Sequence, residues 1–107
     1  MIIETDTKLM KTYTGDITIT KNSRFQLFGI VNGDIEIRDK SICEIYGIVT
    51  GTIKILDDTN VRIDGTVTGA VYNDGGTLNI YGTIERFFDI SGITNIHENA
   101  VIKNLLH

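Results

Sequence analysis

Phe25-Gln-Leu-Phe-Gly-Ile-Val-Asn-Gly-Asp-Ile-Glu-Ile37 is followed, 18 residues on, by Cys43-Glu-Ile-Tyr-Gly-Ile-Val-Thr-Gly-Thr-Ile-Lys-Ile55. Two further copies are Val61-Arg-Ile-Asp-Gly-Thr-Val-Thr-Gly-Ala-Val71 and Leu78-Asn-Ile-Tyr-Gly-Thr-Ile84. The glycines mark the period. Gly29, Gly47, Gly65 and Gly82 are spaced 18, 18 and 17, and Gly15, Gly33, Gly51 and Gly69 are spaced 18 throughout. Within each copy apolar residues alternate with period two, which is the pattern of half-buried strands. Laid in register, the copies form columns: Leu9, Leu27, Ile45, Ile63, Ile80; Tyr13, Val31, Val49, Val67, Ile84; Ile17, Ile35, Ile53, Val71, Phe88; and Ile19, Ile37, Ile55, Asn73, Ile90. Cys43 joins Phe25, Val61 and Leu78 in another.

A repeat of this length, broken by two glycines, is too short for a propeller blade or a helical repeat. It suits a coil of three short faces with glycine at the corners, where the chain turns sharply or leaves no room for Cβ. The expected fold is all-β: a three-sided parallel β-solenoid of about five coils of 17–18 residues, roughly 24 Å tall at 4.8 Å per coil. A hairpin sandwich is the competitor, with Asn32-Gly33, Asp64-Gly65 and Asp74-Gly75 as turns. Hairpins do not explain four columns at one period. A chain of 107 residues is one domain. We divide it into an N-terminal cap over residues 1–6, coils over 7–94 and a C-terminal partial copy or cap over 95–107.

The hydrophobic-x-Gly-x-Val-x-Gly-x-Ile alternation over residues 7–94 resembles bactofilins and other polymer-forming β-solenoid proteins. The resemblance implies a right-handed three-sided β-helix that binds no cofactor, performs no chemistry and stacks end to end into filaments. The chain departs from that pattern at its ends. Lys11 stands where the first copy needs glycine, Arg86 where the last does, and the family's flanking tails are missing.

Composition excludes several classes. Ten basic against 14 acidic residues leave a net charge of −4, with no Lys/Arg cluster for nucleic acid or an anionic membrane surface. No apolar run reaches the roughly 18–20 residues of a spanning helix. The N-terminus lacks the basic start and apolar stretch of a secretory signal. With a single cysteine, the expectation is a cytoplasmic protein. Catalytic groups are scarce. Cys43 falls in an inward column and reads as a small buried hydrophobe. His97 sits in a turn and His107 at the mobile end, too few for a three-histidine metal site. Asp57, Asp58, Asp64 and Asp74 are the only candidates for paired carboxylates, and Asp57-Asp58-Thr59-Asn60 and Asn73-Asp74-Gly75-Gly76 are ordinary turn compositions. We therefore expect no catalytic residue, no metal and no cofactor.

The residues between the inward columns point outward. One outward column runs Met10, Phe28, Tyr46, Asp64, Tyr81 and its neighbour Thr12, Ile30, Ile48, Thr66, Thr83. Phe28, Ile30, Tyr46, Ile48 and Tyr81 would form an apolar ridge, a candidate interface for another protein or for a second copy. Met1-Ile2-Ile3 or Leu105-Leu106 are able to fold back and cover it. Arg86 and Phe87 make a smaller candidate surface on the last coil. The expected function is non-enzymatic protein binding, of the immunity or inhibitor type that neutralises a toxin. The alternative is a bactofilin-like self-assembling scaffold. Charged ends favour the first, as a discrete species rather than a filament.

Overall fold

The computed structural model describes residues 1–106. His107 lies outside the described residues, and with it the expectation of a mobile end. A short β1 (Ile2–Ile3) precedes three coils of three strands each. These are β2 (Thr7–Leu9), β3 (Thr12–Thr14) and β4 (Ile17–Ile19), then β5 (Arg24–Leu27), β6 (Ile30–Asn32) and β7 (Ile35–Ile37), then β8 (Ile42–Ile45), β9 (Ile48–Val49) and β10 (Ile53–Ile55). After β11 (Asn60–Ile63) the corners flatten, so that β12 (Thr66–Ile80) and β13 (Thr83–Ile96) each run continuously across faces before β14 (Val101–Leu106). No helix is present among the described residues, and so none long and apolar enough to cross a membrane.

Every pairing is parallel. Three ladders result, one per face. The first stacks β2, β5, β8, β11 and the ends of β12 and β13. The second stacks β3, β6, β9, the starts of β12 and β13, and Val101–Ile102 of β14. The third stacks β1, β4, β7, β10, the middles of β12 and β13, and the end of β14. The chain is thus a β-solenoid of about six turns. The coils run further than expected, because Ile2–Ile3 and Val101–Leu106, placed in the caps, are themselves rungs.

The inward columns form one core. Leu27, Ile45, Ile63 and Ile80 are fully buried, as are Val31, Val49, Ile37, Ile55 and Cys43. The columns hold through Ile84, then slip. Val67 pairs Ile84, but Ala70 pairs Arg86, so one residue is missing from that corner. A one-residue shift in a period-two strand exchanges its faces. Phe87, not Phe88, therefore enters the core beside Val71, and Phe88 turns outward onto Tyr72, their rings stacked at 4.3 Å. Arg86 stands level with Ala70 rather than with Gly69. Ile90 is also displaced: Asn73 pairs Asp89 and Asp74 pairs Ser91, so Ile90 bulges out and is 60 % exposed.

The corners differ in how they close. At the first, an added Cβ on Gly29, Gly47, Gly65 or Gly82 would strike the carbonyl oxygen of the coil before it, on Lys11, Gly29, Gly47 and Gly65 in turn. The third corner is a four-residue turn, Thr20–Ser23, Arg38–Ser41 or Leu56–Thr59. Asn22, Lys40 and Asp58 adopt left-handed conformations there, with φ of 55°, 61° and 61°. The Ser23 and Thr59 hydroxyls donate to the Thr20 and Leu56 carbonyls at 2.7 and 2.8 Å. The next such corner is one residue shorter. Buried Asn73 closes it, accepting from the Gly76 N–H at 3.0 Å and donating to the Gly76 and Ile93 carbonyls and to Thr94 Oγ1.

Candidate protein interface

The outward ridge lies at the corner joining the first and second faces. Phe28 follows β5 and Tyr46 follows β8, each just before a corner glycine, so neighbouring coils set them one above the other. Their rings stack at 5.1 Å and 11°. Phe28, Tyr46 and Ile48 are exposed, Phe28 by 44 %, and Ile30 is half-buried beneath them. Neither terminus covers this surface. Ile2–Ile3 and Leu105–Leu106 both pair on the third face.

Tyr81 lies further along the same column, but Asp64 separates it from Tyr46. Arg62 closes the gap. Its Nε sits 3.1 Å from Asp64 Oδ2, and its guanidinium lies 4.3 Å over the Tyr81 ring. His97 stacks on the ring at 3.9 Å. Tyr81 is therefore held between a cation and an imidazole rather than presented as a free ring, and is half-buried. Arg62 and His97 belong to the ridge although residue type alone did not assign them. The column spacing reaches His97 when carried one coil beyond Tyr81.

Charges flank the ridge. Arg24 pairs Glu44 at 2.7 Å, and the Tyr46 hydroxyl donates to the other Glu44 oxygen at 3.3 Å. Burial, with the Glu44 carboxylate beside it, pushes the Tyr46 phenol above its ordinary value. The ring faces of the ladder are spent on one another, so the ridge offers ring edges and aliphatic methyl groups to a partner. That favours a shaped protein surface over a flat sugar or base.

The second candidate surface does not form as expected. Arg86 is exposed, but Phe87 is fully buried because of the corner slip, and the two point to opposite sides. Cys43 is fully buried, and burial pushes its thiol far above the usual range, with Glu44 adding to the effect. Asp58 lies in the left-handed turn, and Asp57 and Asp74 line a groove with Arg38, Asp39 and Leu56. Asp64 is elsewhere, held by Arg62. Among the described residues no three His, Cys, Asp or Glu side chains gather as metal ligands would. No family model matches the chain, and neither a curated protein nor a solved structure is similar to it.

Proposed function

We propose that the protein is a non-enzymatic binding module of the inhibitor or immunity type, cytoplasmic in location, which docks on another protein through the ridge of Phe28, Ile30, Tyr46 and Ile48. The observation that carries this reading is a ladder of exposed aromatic and aliphatic side chains on a parallel sheet, left uncovered by both termini. Such a surface costs little ordering entropy on binding, because stacking already fixes the rings. Aromatic anchors with a charged rim match the composition of interface cores. The net charge of −4 favours a basic partner by electrostatic steering. A bactofilin-like scaffold is the second reading, favoured by the solenoid itself. Lys11 speaks against it: its Cβ stands where a preceding coil would need to set a carbonyl oxygen.

The test is co-expression with a toxin domain encoded immediately upstream. Rescue of growth is expected from the wild-type chain. Tyr46→Ala and Phe28→Ala should abolish rescue while melting near the wild-type temperature, since an anchor loses about 2 kcal/mol of binding but only about 0.2–1 kcal/mol of cross-strand contact. Full rescue by both variants would remove the ridge from the interface.

A further inference from the structure

The two ends of the solenoid are not alike. At the N-terminal end the core is closed: Ile3 and Leu9 are buried, and Tyr13 packs against the core. At the C-terminal end it is open. Ile96, Ile102 and Leu105 continue the columns of Ile80, Ile84 and Phe87. Those three are fully buried one coil earlier, whereas Ile96 and Leu105 are 50 % and 47 % exposed. The backbone is open too. Ile93–Ile96 pairs only β12, and β14 pairs only β13, so each leaves an outer edge of N–H and C=O groups without a strand among the described residues.

We propose that this end seats a second copy of the chain, docked tail to tail. The N-terminal end of another copy does not fit there. A coil set against Lys11 would put its carbonyl oxygen on the Lys11 Cβ, as the glycine positions show. In addition, β1 already fills the third ladder one rung ahead of β2 and β3. Seated on β14, it would hold the other two ladders a rung apart. A two-fold axis across the solenoid avoids both obstacles. It brings the two open ends together with their edge strands antiparallel, and it buries Ile96, Ile102 and Leu105 against their own copies. The molecule measures 31 × 26 × 20 Å, its long dimension matching the stack of rungs. Pairing ends of that cross-section buries about 800–1,000 Å² in total, near the lower limit for a specific contact, so the pair is weak and reversible. The inference goes beyond the binding role proposed above, and it leaves both ridges free on the flanks of the pair.

Sedimentation equilibrium over a rising concentration series tests it. The average mass should climb from one chain and level off at two. Ile96→Lys and Leu105→Lys, both at exposed positions, should each weaken pairing at least tenfold without changing the circular dichroism. A second measurement does not depend on those variants folding. Lys103→Cys should cross-link chain to chain through a short thiol-reactive spacer, Lys11→Cys should not, and buried Cys43 stays silent. Phe28→Ala and Tyr46→Ala should leave pairing intact, which separates this proposal from the ridge. A single chain at every concentration, masses that climb past two, or cross-linking through Lys11→Cys would each overturn it.

Discussion

Gly47 has no room for a side chain. An added Cβ would strike the Gly29 carbonyl oxygen and lie 3.0 Å from the Phe28 carbonyl carbon, and its own φ is not positive. Only Gly15, Gly75 and Gly92 use the left-handed region. The glycine spacing was therefore legible, and the reason at this corner is close approach between coils. Gly47→Ala should lower stability by about 2–4 kcal/mol, read from the urea midpoint, because coils a rung apart cannot separate locally. An unchanged midpoint would mean that the coils are not in contact there. Cys43 gives a different signature. Its folded thiol lies far above the ordinary value of 9.0, so its contribution is complete below that pH and is lost as the pH rises, where the unfolded thiol ionises and the native one does not. From about pH 9 upward this steepens the loss of stability by at most about 1.4 kcal/mol per pH unit. Urea unfolding at several alkaline pH values should show a shallower decline for Cys43→Ala, and parallel declines would contradict the burial.

Strands and corners explain where the reading of the sequence held and where it failed. Through β11 the period is constant, so alternation alone assigns each side chain to a face. Between Val67 and Ile93 three corners depart from it, each by a residue, and no glycine at a fixed spacing marks the loss at Arg86. Two adjacent phenylalanines, Phe87 and Phe88, then fit the core equally well by residue type. Only the register decides between them. His97 was hidden by the same drift, since its coil is 16 residues long when counted from Tyr81. The shortened turn also explains the one polar residue in the fourth column. Asn73 does with its carboxamide what Ser23 and Thr59 do with hydroxyls. Asn73→Ile would restore the apolar column of Ile19, Ile37 and Ile55. It should nonetheless destabilise by about 1–3 kcal/mol, because the Gly76 N–H loses its acceptor in a buried site. A more stable variant in thermal unfolding would show that the turn closes without the side chain.

At the scale of the molecule, the coils support one another only through their neighbours, so stability accumulates along the stack. Among the described residues every buried side-chain nitrogen and oxygen has a partner, and most partners lie in the same or the adjacent coil. Each coil is therefore close to interchangeable with the next. Removing residues 43–60 joins Ile42 to Val61, and Ile42 already pairs Asn60, the residue that precedes Val61. Gly65 would then sit over Gly29 as it now sits over Gly47. The shortened chain should fold with the same circular dichroism and a lower melting temperature. Removing 17 or 19 residues at the same place should leave it unfolded or aggregated, since every later side chain changes face. The length of this protein is in that sense quantised. Evolution or a protein engineer can add or subtract a whole coil of about 4.8 Å, as one cuts a ruler at its marks, and anything between two marks is forbidden.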